Sequence, residues 1–308
     1  MPKQLPKITL SIAPTYKSAL IRLHISVFLW GFTAILGKLI TLPSAQLVWW
    51  RMSLAVVLLL LWRPVRRALR RTTWRNAGPV FASGALLALH WVLFYASVKR
   101  GNPTTALIGL SLTSFFTAVL EPLFFRRRPE WRDWLIGLLV LPGMMLIYQN
   151  ADVRLTTGLW LGIGAAIVLA VFSVLSKKFI VSRDVAGMTF WQMAGGAMAL
   201  TLVGPMLLHW NGIGALPSLQ DFLLLLVMTI FCTIVPFMLT LGALRTLSAF
   251  IANLTLNLEP VYGIAMAWVF LDDARTVNAA FVLGVWIVLL SVLVYPLLSR
   301  RPDAPGPK

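Results

Sequence analysis

Two ionisable side chains stand near the middle of long apolar runs. Glu259 is the eleventh of the 23 residues from Ala249 to Leu271 and their only charge, and His90 is the twelfth of the twenty residues Pro79–Val98. In helices rising about 1.5 Å per residue, both would lie close to the midplane of a bilayer. An ionised side chain at that depth costs roughly 3 kcal/mol on insertion scales, so a carboxylate there has a partner or a task. The chemistry open to Glu259 and His90 is proton transfer or the binding of a polar cargo, which makes them the candidates for proton coupling. Around His90, Trp91, Phe94 and Tyr95 add rings, and His90, Phe94 and Ser97 share a helical face by their spacing. Around Glu259, Ala252, Thr255 and Gly263 share its face, while Asn253 and Asn257 form a second polar pair four apart. Arg51, five residues into another apolar run, is placed equally well to snorkel to the interface or to bind a carboxylate.

Other chemistries find no support in the residue pattern. His24, His90 and His209 have no metal-ligand spacing, and the lone Cys232 allows neither an intrachain disulfide nor a cysteine-based metal cluster, so no metal or cofactor is expected. The stretch Gly31–Leu39 resembles a phosphate-binding loop only superficially. It has five residues rather than four between the glycines, Leu39 where a hydroxyl should meet magnesium, and an apolar setting. An intramembrane enzyme would need clustered acids and histidines or a nucleophile with its base, which two isolated titratable groups do not supply.

The elements that must hold these residues are membrane spans. The chain of 308 residues is 59% hydrophobic and only 12% charged, with a mean hydropathy of +0.83; soluble domains are nearer a quarter charged. Its +17 net charge sits in short clusters between apolar runs, such as Arg63–Arg71, which excludes nucleic acid as the expected partner and names the lipid bilayer instead. Ten runs of about 17–23 residues, each enough to cross about 30 Å of hydrocarbon, fall at 23–42, 46–62, 79–98, 104–125, 131–149, 158–176, 187–208, 221–243, 249–271 and 277–298. A signal peptide at the first run is disfavoured because Lys38 interrupts it. With the N-terminus inside, 21 basic residues fall on the cytoplasmic side, against Lys38, Lys99, Arg100, Arg154 and Arg275 outside and Arg51 within a span. Both termini are therefore expected in the cytoplasm.

A shift of 146 positions lays Ala96-Ser97-Val98-Lys99 on Gly242-Ala243-Leu244-Arg245, and Ala106, Leu110, Leu112 and Phe124 on Ala252, Leu256, Leu258 and Phe270. Five helices per repeat is an odd number, so the second copy must be upside down. Loop charge agrees: six positive charges in Arg63–Arg75 face none in His209–Gln220, and Arg126-Arg127-Arg128 faces Asp272-Asp273-Ala274. The shift pairs Glu259 with Thr113, beside Ser111, Ser114 and Thr117, giving two polar patches at mid-depth. It pairs His90 with Pro236, a residue that frees a backbone carbonyl. Gly162, Ala165, Ala166, Gly195 and Gly196 read as positions of close helix packing, and Glu121 near Arg126–Arg128 reads as an interfacial ion pair.

Trp30-Gly31 in the first run, Ala96-Ser97-Val98-Lys99 closing the third, Phe116-Thr117-Ala118-Val119-Leu120 in the fourth and Leu258-Glu259-Pro260-Val261 in the ninth resemble EamA-type proteins of the drug/metabolite transporter superfamily. The resemblance covers about residues 23–298. It implies an all-α membrane protein with ten transmembrane helices in two inverted five-helix repeats, 23–150 and 157–298, around a central cavity and flanked by cytoplasmic tails at 1–22 and 299–308. It also implies a bacterial inner-membrane location and, as a rule, export of small metabolites. The expected activity is that of a secondary transporter moving a small-molecule substrate, such as an amino acid or related amphipathic compound, outward by alternating access. Trp30, Trp91 and Tyr95 would form aromatic walls, and His90, Thr113, Asn253 and Glu259 polar contacts. A proton-independent facilitator or channel-like pore and an intramembrane enzyme are the alternatives; the oligomeric state is left open.

Overall fold

The computed structural model describes residues 14–101, 103–147, 157–207, 216–259, 261–262 and 279–298. Both expected tails in large part, Gly263 and the remainder of the ninth run, the Asp272-Asp273 pair and most of the His209–Gln220 loop lie outside the described residues.

Every element is a helix among the described residues, as hydrocarbon demands: only a helix or a closed barrel satisfies all backbone groups without water. In chain order they are α1 (Tyr16–Trp30), α2 (Thr33–Leu39), α3 (Ser44–Leu61), α4 (Arg63–Arg71), α5 (Trp74–Arg100), α6 (Pro103–Ser111), α7 (Thr113–Phe125) and α8 (Trp131–Ile147). There follow α9 (Thr157–Ile180), α10 (Val185–Leu207), α11 (Leu219–Thr229), a π-turn (Ile230–Ile234), α12 (Val235–Ala243), α13 (Ala249–Leu256) and α14 (Ala279–Leu298). Among the described residues, six stretches are long and apolar enough to cross a membrane: Tyr16–Leu39, Ser44–Leu61, Trp74–Arg100, Ala106–Phe125, Thr157–Ile180 and Leu219–Ala243. The basic cluster after α3 is not a loop. It forms α4, with Pro64 in the first turn, where a missing N–H costs nothing, Arg70 and Arg71 in the last turn, and Val65 buried.

Helices from the first half of the chain pack chiefly on helices from the second. α5 lies against α9 and α10, α3 against α10, α1 against α12, α6 and α7 against α9, and α8 against α14. Glycine makes the tightest crossing possible: a Cβ on Gly195 would strike the Phe81 backbone, and one on Gly84 would strike the backbone of Gln192 and Gly196. Backbone thus touches backbone between α5 and α10, the arrangement small residues allow in lipid. Polar ties close both ends. Asp221 in the first turn of α11 accepts from Thr41 N (2.9 Å) and Thr41 Oγ1 (2.7 Å). Buried Glu121 caps the first turn of α13, accepting from Ala249 N at 3.2 Å and Phe250 N at 2.8 Å.

Four long helical runs are interrupted within the described residues, two of them at positions 146 apart. Leu112, between α6 and α7, donates its N–H three residues back to Gly109 O at 3.3 Å; Leu258, after α13, donates to Thr255 O at 3.0 Å. The helix then resumes with Phe116 N to Leu112 O and Tyr262 N to Leu258 O, both 3.0 Å. These are the same 3₁₀ step taken twice. Likewise Lys99 Nζ donates to Ile40 O (3.0 Å) and Arg245 Nη2 to Arg183 O (2.6 Å), each reaching a connecting segment between the first two runs of its half.

Candidate functional site

A cavity of about 90 Å³ opens beside these breaks. That is space for several water molecules or one small organic molecule. α1 and α2 contribute Trp30 and Thr33, on either side of the turn at Gly31-Phe32, and α3 contributes Arg51. α5 presents Leu87, His90, Trp91 and Phe94, whose spacings of three and four residues put them on one stripe of the helix. From the second half come Phe172, Ser173 and Ser176 of α9, Phe237 and Thr240 of α12, and Asn253 and Glu259 at the α13 break. The wall is mostly apolar and aromatic, with Arg51 and Glu259 as its formally charged members among the described residues and His90 as a third ionisable group.

Arg51 does not reach for an interface. It is 1% exposed and its guanidinium is fixed from four directions. Nε donates to Thr233 Oγ1 (2.5 Å), Nη1 to the Tyr95 hydroxyl (2.7 Å) and Nη2 to the Cys232 carbonyl (2.6 Å), while Cζ sits 4.0 Å from the centroid of the Trp91 ring. The sequence explains the unusual acceptor. Pro236 has no N–H for the carbonyl four residues back, which is that of Cys232, and the helix widens there into the π-turn. Thr233 turns its own hydroxyl to Met228 O at 3.0 Å. The Tyr95 ring occupies the space that a side chain on Gly37 would need.

His90 Nδ1 lies 2.9 Å from Ala165 O. A carbonyl only accepts, so Nδ1 carries hydrogen and Nε2 is the ring's remaining polar atom. Asn253 is held between the halves, donating from Nδ2 to Thr117 Oγ1 (2.8 Å) and accepting from Ser173 Oγ (3.2 Å). Asn257, four residues on, donates to Ser114 Oγ at 3.2 Å. Glu259 makes no hydrogen bond to His90 or Arg51 among the described residues, and shares the cavity wall with both. The Thr240 hydroxyl is buried with no hydrogen-bond partner among the described residues.

Of the seven residues singled out from the sequence, Trp30, His90, Trp91, Asn253 and Glu259 meet around this one cavity. The other two stand behind it. Tyr95 is fully buried and acts on the wall through Arg51. Thr113 is fully buried at the α6–α7 break, its hydroxyl donating to Leu110 O at 2.6 Å; Leu110 itself lines the cavity. The lining residues of α9 and α12 carry no sequence signal beyond small and aromatic types. Arg51 had one: a cation inside an apolar run, with a proline elsewhere in the chain that strands a carbonyl.

The sequence matches the EamA-like transporter family twice, over residues 17–149 and 156–295. The chain belongs to that family. The EamA match makes it a multi-pass membrane protein and a transporter of the drug/metabolite transporter superfamily. A search of curated proteins gave no match. One crystal structure of a protein shares the fold, at 15% identity and a TM-score of 0.73, with 94% of this chain and 99% of that one covered. At that identity the likeness carries the fold alone. Both family matches contribute to the cavity, Trp30, Arg51 and His90 from the first and Phe172, Asn253 and Glu259 from the second.

Proposed function

We propose that this EamA-family protein is a secondary transporter that exports a small amphipathic metabolite across a bacterial inner membrane by alternating access. Ten spans form two inverted five-helix repeats, with both termini in the cytoplasm. The observation that carries the reading is the cavity itself: a mostly apolar and aromatic space lined by both family-matched segments, holding a few fixed polar groups beside broken helices. Substrate sites of repeat-built transporters lie at the repeat interface, where discontinuous helices expose backbone and polar side chains. The matched 3₁₀ steps at Leu112 and Leu258 give each half one such joint, so the halves can rock about the cargo in turn.

Glu259 and His90 are the groups that would carry a coupled proton. A hydrolytic or transfer role has less to draw on, because His90 is committed through Nδ1 to a backbone carbonyl and no nucleophile is bonded to it among the described residues. The test is purified protein in vesicles loaded with a small-molecule extract. Release of specific compounds, faster than from empty-lipid controls and steeper with an imposed proton gradient, is the expected result. Release of nothing would defeat the transporter reading. Release indifferent to the gradient would leave a facilitator.

A further inference from the structure

Away from the cavity, the basic connection between α3 and α5 is built as a surface: we propose that the outer face of α4 is a binding site for the headgroups of anionic phospholipids in the bilayer that the flanking spans cross. α3 ends at Leu61, α4 runs from Arg63 to Arg71, and α5 begins at Trp74. A short helix tied this closely to two spans lies at the level of the headgroups. Val65, Ala68 and Leu69 fall on one side of it by their spacing of three and four. Val65 is fully buried, and Ala68 packs where a Cβ on Gly187 of α10 would come within 3.1 Å. Arg63, Arg67, Arg70 and Arg71 fall on the opposite side, and all four are exposed.

These four cations make no hydrogen bond, ion pair or ring contact to protein among the described residues. Arg66 alone on the helix is spent, its Nη1 on Leu60 O (2.8 Å) and Leu61 O (2.6 Å) at the end of α3. Basic residues of the second half are used differently: Lys177 Nζ donates to Leu244 O and Leu247 O, both at 2.7 Å, and Arg183 Nη1 to Phe179 O at 3.1 Å. On α4 the free guanidinium groups stand three and four residues apart, where like charges repel until an anion comes between them. Phosphate oxygens are the acceptors a guanidinium fork fits best. Trp62 and Trp74, exposed at the two ends of the helix, are the amphipathic rings of a membrane interface. The Trp74 ring also lies 5.9 Å from that of Trp191 in α10, so lipid held here braces the corner between α4, α5 and α10. Orienting the chain asks only for positive charge in this connection, in any conformation. The repeat does not ask for the helix either, since the corresponding stretch His209–Gln220 has no Lys or Arg. A helix with its cations gathered on one face is the additional feature that a headgroup site explains.

The experiment is thermal melting of the full-length protein in neutral detergent, titrated with dioctanoyl phosphatidylglycerol, dioctanoyl phosphatidylcholine or glycerol phosphate. Phosphatidylglycerol should raise the melting temperature saturably, and less so in high salt, while the other two leave it in place. Arg67→Gln combined with Arg70→Gln should raise the half-saturating phosphatidylglycerol concentration at least about tenfold. Arg128→Gln combined with Arg132→Gln removes the same charge from exposed positions near the start of α8 and should leave that concentration unchanged. An equal response to phosphatidylcholine assigns the effect to acyl chains and overturns the proposal. An equal response to glycerol phosphate makes α4 a site for free phosphate and overturns the lipid assignment. Equal losses in the two double variants reduce the effect to net charge and overturn it as well. The lipid series on unaltered protein needs no variant, so poor folding of a double substitution cannot shield the idea. No arm depends on transport, so the outcome is independent of the test of the proposed function.

Discussion

Arg51 Nη2 donates to the Cys232 carbonyl at 2.6 Å, a bond available because Pro236 cannot give that carbonyl its helical partner. One residue in the second half of the chain thereby sets the aim of a cation in the first. Pro236→Ala restores an N–H that competes for the carbonyl. The helix should become more regular and the protein no less stable, while cargo affinity falls several-fold. Calorimetric binding alongside melting temperature checks this; an unchanged affinity would show that Thr233 and Tyr95 suffice to hold the fork.

Tyr95→Phe isolates the hydroxyl that Arg51 Nη1 meets at 2.7 Å, leaving the ring packed over Gly37. Hydrogen bonds to charged groups contribute about 1.5–3 kcal/mol, so cargo affinity should drop about tenfold or more with expression and membrane insertion intact. Equal KM values for the two proteins in vesicle transport would assign Tyr95 to packing alone.

The α5–α10 crossing predicts a contrast between two glycines. A Cβ on Gly195 meets Phe81 backbone, which cannot move aside, whereas one on Gly164 finds Leu93 Cδ1 at an ordinary 3.7 Å. Gly195→Ala should destabilise by about 1–3 kcal/mol, the usual range for overpacking. Gly164→Ala should be neutral or slightly stabilising, since alanine is the better helix former. Detergent melting curves of the pair decide it, and similar shifts for both would mean that the crossing relaxes.

Orientation is testable without any cargo. The imbalance of 21 basic residues to five puts reporter fusions at Arg70, Arg127 and Arg301 in the cytoplasm and those at Gly212 and Asp273 on the other side. An external reading at Arg70 with an internal one at Gly212 would reverse the topology.

Period and composition made the helical class readable from the sequence, and the 146-residue shift laid Leu112 on Leu258 without marking either as a joint; the structure breaks both helices there in the same way. That shift could not reveal asymmetry. α5 runs unbroken where its counterpart bears the π-turn, because Pro236 stands opposite His90 and only the proline lacks an N–H. The ten expected runs were a reading of hydropathy, and six stretches meet that standard of length and composition among the described residues. Lateral relations were the least legible. Nothing in the order of residues says that Arg51 turns inward to Tyr95, since snorkelling and internal binding place the same cation at the same depth. Thr113 shows the reverse, a hydroxyl at the right depth that bonds its own helix.

Glu259 decides between two kinds of transport. Its neighbours in the wall are the Arg51 cation and His90, whose Nε2 is uncommitted among the described residues. If the carboxylate carries a proton through the cycle, Glu259→Gln keeps the shape and the hydrogen-bonding capacity but removes the titration; transport should then lose its response to an imposed pH gradient. If the carboxylate only binds the cargo, the same change should raise KM at least tenfold and leave the response to the gradient in place, carried by His90. Measuring rate against pH and against cargo concentration in the same vesicles separates the two, because the first role moves the gradient response and the second moves KM. Should Glu259→Gln change neither, the carboxylate is a packing element of the α13 break.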